Sequence, residues 1–244
     1  MSFANPSEKA WRSAPTTAGP PAPDEVIVWR IALEAVTSKD EHELSSDERE
    51  RADRFKFAHV RRAFVQGRLF LRRALAQITG CPAAEIQFIS EGNGKPALLG
   101  RPLAFNLSHS GGAALLAVAG AGPVGVDVEL MRETRDLIGL ARRYFAATEY
   151  EELIRLEAND QTAAFYRCWT RKEAFIKALG EGLSHPLDSF AVRFAPEAPA
   201  EFTTAKEREE GWRIFDLDVG DGFAGAVVTP GSVERLTCFT LHQI

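Results

Sequence analysis

The chain has 244 residues, 45% hydrophobic and 26% charged, a balance that excludes a disordered tail or linker and supplies enough apolar material for a sizeable core. Lys+Arg 29 against Asp+Glu 34 leaves a net charge of -5, which argues against a nucleic-acid partner held by phosphate neutralisation. Cys81, Cys168 and Cys238 form no C-x-x-C pair, so neither a disulfide framework nor a zinc site is indicated, and they read as small buried hydrophobes. No stretch has the apolar length of a membrane span and the first residues carry no basic-then-apolar signal, so the expectation is a cytoplasmic protein without a membrane partner.

Residues 1–23 hold five of the 13 prolines with no hydrophobic period and read as a flexible leader. Val26 to Ile31 is a β-branched run, a predicted strand. Ser45-x-x-Glu48 is a capping box that opens a helix. From Val60 to Ile78 apolar residues alternate with Arg61, Arg62, Arg68, Arg72 and Arg73, predicting an amphipathic helix with a basic outer face, stopped by Gly80 and Pro82. Ile86 to Ile89 and Leu103 to Phe105 read as short strands. Ala113 to Ala119 and Val124 to Val128 read as a hairpin or strand pair. Thr148-x-x-Glu151 is a second capping-box pattern, followed by a helix through Leu156 and a longer one from Thr162 to Leu179 that Gly180 ends. Strands are then predicted at Phe190 to Phe194, Trp212 to Leu217, Phe223 to Val228 and Leu236 to Leu241. The two long helices interleave Arg or Lys with apolar residues and close on glycine, so two similar α+β halves, 24–122 and 123–244, are expected, with a ligand site in the cleft between them.

Three constellations carry chemistry. In Gly125-Val126-Asp127-Val128-Glu129 the period of two puts the valines on one strand face and both carboxylates on the other. Such a pair is either a solvated strand face or, because like charges repel as near neighbours, a site for a hard cation with oxygen ligands. Glu173 lies on a helical stripe with Phe165, Trp169 and Lys177. Taken alone, Glu173 and Lys177 are an ordinary helix pair. Their aromatic neighbours point inward, and a buried acid and amine ask for a metal, a phosphate or each other. The run Phe105-Asn-Leu-Ser108-His109-Ser110-Gly111-Gly112 offers hydroxyl, imidazole and backbone donors suited to an anion, or is simply a polar turn. A Ser108–His109 hydrolase pair is disfavoured, since adjacent strand residues point apart and no G-x-S-x-G elbow frames the serine. Lys95 stands at the rim of a turn, Gly92 to Pro96, and Arg51, Arg54, Arg61 and Arg62 lie upstream.

Taken in order, GKP, FNLSHSGG, GVDVE, ARRYFAATEYEEL and CWTRKEAFIKALGEGL resemble the successive signatures of the large, double-length 4'-phosphopantetheinyl transferases of the surfactin-synthetase-activating type, over roughly Ser45 to Phe194. The resemblance implies two α+β halves related by a pseudo-twofold axis and a monomer with the site in the cleft. It implies transfer of phosphopantetheine from coenzyme A to a serine of an apo acyl or peptidyl carrier protein, releasing adenosine 3',5'-bisphosphate. It also implies Mg²⁺, with Mn²⁺ as a substitute, held by Asp127, Glu129 and Glu173. Glu173 would take the serine proton, Lys177 would stabilise the departing phosphate, and Lys95, Ser108 and His109, helped by Arg51 and Arg61, would grip the nucleotide and its 3'-phosphate. Arg142, Arg143 and Arg171 are candidates for a basic surface facing an acidic carrier. The alternative enzyme class is a Mg²⁺-dependent phosphohydrolase acting on nucleotide or coenzyme A-like pyrophosphates. A coenzyme A-binding module without activity is disfavoured because all three acids and Lys177 are present.

Overall fold

A computed structural model describes residues 11–15, 18–36, 38–91, 95–100, 103–133, 136–195 and 198–242. Its elements are β1 (Arg12–Ser13), β2 (Glu25–Ala32), α1 (Ser46–Asp53), α2 (Ala58–Thr79), β3 (Phe88–Glu91), β4 (Lys95–Leu98), β5 (Ala104–Ser110), β6 (Ala113–Ala119), β7 (Gly125–Leu130), α3 (Leu137–Tyr144), α4 (Ala147–Arg155), α5 (Ala158–Leu179), α6 (Ala205–Glu209), β8 (Trp212–Asp216), β9 (Phe223–Pro230) and β10 (Arg235–Thr240). The class is α+β. One sheet runs β1-β10-β2-β6-β5, a second β7-β9-β8, and β3-β4 is a separate two-stranded ribbon.

The side-chain period of two decides the layers. On β2 and β6, Ile27, Trp29, Ile31, Ala114, Leu116 and Val118 meet the apolar face of α2. Their alternates Val26, Val28, Leu115, Ala117 and Ala119 pack against Val124, Val126, Val128 and Val227 of the other sheet. The outer face of that second sheet, with Ala226, Val228 and Ile214, is covered by α5 through Ala174, Phe175 and Ala178. The order is thus helix, sheet, sheet, helix. Both outer helices have 22 residues and both end on a left-handed glycine, Gly80 (φ 68) and Gly180 (φ 76), a conformation glycine adopts without a Cβ clash.

Several expectations need correction. Leu236 to Leu241 is a strand, but β10 pairs parallel with β2 and so completes the first sheet; the C-terminal strand crosses to the N-terminal half. Part of the expected leader does the same, because β1 pairs with β10. β6 and β7 are not a hairpin: β6 pairs with β2 and β5, and β7 with β9. Phe190 to Phe194 forms only an isolated bridge, Val192 to Phe202, because its N–H and C=O groups are taken by Glu149, Lys172, Arg167 and Arg171 side chains. Helix α4 is opened by Glu149, which accepts from the Ala146 N–H at 2.8 Å, with Thr148 already inside the helix, two residues off the predicted register. The turn at Gly92 to Gly94 lies outside the described residues.

The predicted capping box of α1 is present, Ser45 Oγ accepting from Glu48 N at 3.3 Å and Glu48 accepting from Ser45 N at 2.9 Å. Glu48 also answers arginines of α2, of which only Arg62 is exposed. Arg68 and Arg72 both pair with it, and Arg72 is 1% exposed, with further bonds to the Ala83 and Ile86 carbonyls. Arg73 pairs with Asp40 and Glu43, and Arg61 with Glu41 and Asp53. Burial alone would raise the Glu48 carboxyl, but Arg68, the Ser45 N–H and Arg72 outweigh it and hold the group below its ordinary 4.5. An acid depressed in the folded state contributes stability above its unfolded pKa and loses it as pH falls through the folded one. Glu48→Gln leaves the buried Arg72 charge unpaired, which costs ~3 kcal/mol or more. The expected drop in Tm at pH 7 is roughly 6–12 °C, and the gap from the parent should narrow in thermal melts taken below pH 4.5; a gap independent of pH contradicts this account.

Candidate functional site

The site is built where β5, at the edge of the first sheet, meets β7, at the edge of the second. Asp127 and Glu129 share a face of β7 with Gly125, whose partner residues across the ladder are Ala226, Ala224 and Val228, the face covered by α5. Gly125 is required there: a Cβ would sit 2.0 Å from the Ala174 carbonyl oxygen and 2.4 Å from the Ala178 nitrogen. That contact draws the C-terminal turns of α5, with Glu173 and Lys177, down onto the carboxylates.

The stripe predicted on α5 is present. Phe165 stacks on Phe145 and Trp169 with centroids 5.1 and 5.8 Å apart, and the stripe passes through Glu173 to Lys177, whose Nζ lies 2.6 Å from Asp127 Oδ1. Consecutive residues on the helix point elsewhere. Lys172 is fully buried, bound to Glu149 and to the Leu187 and Phe190 carbonyls. Arg171 is fully buried against Asp216 and the Arg193 carbonyl, so it is not a surface for a carrier protein as expected. Arg142 and Arg143 are exposed on α3.

Three acids in one partly desolvated place repel one another. Asp127 is 2% exposed, and its carboxyl is raised by burial, against the opposing pull of Lys177 and Ser108. Glu129 is raised by burial and by Asp127. Glu173 is pushed up to about 7 by burial and by the charges of Asp127 and Glu129, with Lys177 pulling the other way. Among the described residues no three acid, histidine or cysteine side chains stand arranged around an ion position; Lys177 meets Asp127 instead. The donor chemistry nevertheless fits a hard divalent cation. All the groups are carboxylates that burden one another, and Asp127 Oδ2 is buried without a hydrogen-bond partner among the described residues, an unsatisfied acceptor that a cation would satisfy.

The remaining expected ligands separate. On β5 the period of two turns Asn106, Ser108 and Ser110 toward β7 and His109 away from it, its ring 3.9 Å from where a Cβ on Gly67 of α2 would stand. Ser108 is 7% exposed; its hydroxyl donates to Asp127 Oδ1 at 2.8 Å and accepts from Lys177 Nζ at 3.2 Å and Val128 N at 3.4 Å. Its hydroxyl thus sits between Asp127, Lys177 and the Val128 N–H. His109 is exposed and keeps its place at the edge; loss of solvation and the nearby Lys177 charge lower its pKa. Lys95 Nζ donates to the Lys177 and Val124 carbonyls at 2.8 and 3.2 Å, tying β4 to the end of α5. Arg61 is committed to Glu41 and Asp53, and Arg51 lies over the Phe64 ring; neither contact belongs to the acid cluster. Sequence reasoning missed Asn106 and Ser110, whose side chains accept from Val126 N and Leu130 N. A cleft of about 600 Å³ opens beside the seam, lined by Arg30, Gly111, Gly112, Phe223 and Leu241 among others; none of the three acids lines it.

A family model described as the 4'-phosphopantetheinyl transferase superfamily matches residues 123–228, and one described as 4'-phosphopantetheinyl transferase, N-terminal, matches residues 29–121. The 4'-phosphopantetheinyl transferase HetI of Nostoc sp. (strain PCC 7120 / SAG 25.82 / UTEX 2576) is 39% identical over 215 residues, covering 85% of this chain and 89% of that protein. The 4'-phosphopantetheinyl transferase psf-1 of Bacillus pumilus is 38% identical, covering 82% and 86%. The 4'-phosphopantetheinyl transferase Sfp of Bacillus subtilis (strain 168) is 28% identical, covering 89% and 99%.

The raised Glu173 value has a consequence for stability. An acid held above its ordinary pKa keeps a proton in the folded state that the unfolded chain has released, so stability falls as pH rises from 4.5 through about 7 and stays lowered above. Glu173→Gln removes that penalty. In thermal melts the variant should match or exceed the parent Tm at pH 8 and differ less at pH 5; a marked loss at pH 8 contradicts it.

Proposed function

The chain belongs to the 4'-phosphopantetheinyl transferase superfamily, and from that membership we propose that it moves the phosphopantetheine arm of coenzyme A onto a serine of an apo acyl or peptidyl carrier protein. The observation that carries the reading is the meeting of Asp127 and Glu129 on β7 with Glu173 and Lys177 on α5. Asp127, Glu129 and Glu173 would hold Mg²⁺ or Mn²⁺. That ion supplies charge neutralisation at the pyrophosphate.

The chain's own residues do the rest. The serine oxygen forms a bond to the phosphorus carrying the pantetheine arm as the pyrophosphate bond to that phosphorus breaks, and adenosine 3',5'-bisphosphate leaves. Glu173 accepts the serine proton. Its raised pKa suits it to hold a proton near neutral pH, and such transfer is commonly worth about 10²- to 10⁴-fold. Lys177, already among the acids, places an ammonium beside the departing phosphate and stabilises its charge. His109 stands at the exposed edge of β5, open to a phosphate. Lys95 acts from behind the site by holding the last turn of α5. Residues of both expected halves, His109 and Ser108 from one and the acids from the other, meet within one chain, which supports action as a monomer. No helix among the described residues is long and apolar enough to cross a membrane, and a cytoplasmic setting is where coenzyme A and carrier proteins meet.

Two experiments test this. Incubation with coenzyme A, Mg²⁺ and an apo carrier protein, read by intact mass, should show addition of the arm. Glu173→Gln should slow transfer by at least about 100-fold while coenzyme A affinity stays within a few-fold, and an unchanged rate refutes the role of Glu173. Free phosphate from simple esters without a carrier would point to the phosphohydrolase instead, a reading that the names of the three relatives above do not support. In the second, His109→Ala should weaken coenzyme A by about 10-fold, the worth of one charge-assisted bond, and 3'-dephospho-coenzyme A much less. Equal losses would remove His109 from the 3'-phosphate.

A further inference from the structure

The polar residues of β5 contact β7 in a repeated unit. Ser108 Oγ accepts from the N–H of Val128 and donates to the carboxylate of Asp127 at 2.8 Å; Ser110 Oγ accepts from the N–H of Leu130 at 3.2 Å and donates to the carboxylate of Glu129 at 2.7 Å. Each hydroxyl therefore holds the backbone N–H of one residue and the carboxylate of the residue before it. Asn106 occupies the next position of the same row, accepting from Val126 N at 2.9 Å, and there the preceding residue is Gly125, which has no side chain to aim.

We propose that Ser108 and Ser110 are positioning residues that aim the Asp127 and Glu129 carboxylates at one divalent cation. The proposal rests on the reading of those acids as cation ligands. An amide N–H can only donate, so it takes a lone pair of the hydroxyl and leaves the single O–H for the carboxylate. The hydroxyl's direction is fixed by the backbone, and it in turn fixes one carboxylate oxygen. At Asp127 that oxygen is Oδ1, and the buried Oδ2 remains without a partner. A free carboxylate rotates about its last bond; a clamped one presents a known oxygen. Supporting bonds of this kind set the orientation of metal-binding groups, and their loss commonly costs about 10- to 100-fold in metal affinity.

The test uses the full chain and Mn²⁺ as probe, followed by electron paramagnetic resonance, in the parent and in Ser108→Ala, Ser110→Ala and Ser110→Thr. Both alanine variants should bind Mn²⁺ about 10- to 100-fold more weakly, and Ser110→Thr, which keeps the hydroxyl, should lie within about threefold of the parent. Ser108 is buried and its alanine variant can fail to fold; the half-buried Ser110 pair then decides the matter. Parent-like Mn²⁺ affinity in Ser110→Ala overturns the proposal alone. A parent that binds no Mn²⁺ overturns the ligand reading as well, so the two failures are told apart.

Discussion

The edge of β7 is the constraint on which the rest depends. Its N–H groups at Val126, Val128 and Leu130 face away from β9, and an edge strand with unpaired N–H groups is costly when buried. Among the described residues no backbone carbonyls meet them. Three side chains of β5 do, Asn106, Ser108 and Ser110, at 2.9, 3.4 and 3.2 Å. A direct ladder would have merged the two sheets into one. The side-chain ladder satisfies the same donors while setting the strands further apart, and hydroxyls in that gap still have a proton to give. The seam that joins the halves is thereby also the support of Asp127 and Glu129.

A second constraint comes from α5, where four positions along seven residues have separate duties. Arg171 and Lys172 turn to Asp216 and Glu149 and pin the helix to β8 and to the segment around Phe190. Both charges are fully buried, and each has a carboxylate and backbone carbonyls, which is what makes such burial tolerable. Glu173 and Lys177 turn the other way, to Asp127. The helix is held firmly on one side so that the other can carry groups that repel their neighbours. The close approach at Gly125, where α5 backbone touches β7 backbone, sets the distance between the two sets of acids.

Much of the site was legible because the relevant periods are short. Alternation placed Asp127 and Glu129 together, and spacing by four placed Glu173 and Lys177 on one stripe; the five ordered motifs indicated the family. The likeness of the two long helices, each closed by glycine at Gly80 and Gly180, suggested two similar α+β halves but not the order of the layers. What was not legible depends on long-range pairing. Nothing local in Arg235–Thr240 says that it belongs beside β2, 210 residues earlier in the chain for the Arg30–Thr240 contact. Arg61, Arg68, Arg72 and Arg73 of α2 look like a solvated face until Glu41, Glu43, Glu48 and Asp53 fold over them. A hydroxyl such as that of Ser108 suits an anion, a carboxylate and an edge N–H alike, so its contacts with Asp127 and Val128 depend on the neighbour across the gap and are not legible locally. The signal for Asn106 and Ser110 was present as polar residues at 106, 108 and 110, matched in period by 125, 127 and 129.

The site is a place where stability and chemistry oppose each other. Asp127, Glu129 and Glu173 are each raised by burial, and each of Glu129 and Glu173 is raised further by its acidic neighbours, so at neutral pH the folded chain holds carboxylates where water would hold them better. A fold that tolerates this must be anchored elsewhere. Three apolar clusters, one under each helix and one between the sheets, supply that anchoring, together with the ion pairs of Glu48 and Glu149 away from the site. Lys177 offsets part of the repulsion by pairing with Asp127, and a divalent cation would offset more, since it brings two charges to oxygens already turned inward. The strain that the acids impose on one another is therefore the same free energy that favours an ion among them, and its size is governed by how rigidly β5 and α5 keep the carboxylates from turning away.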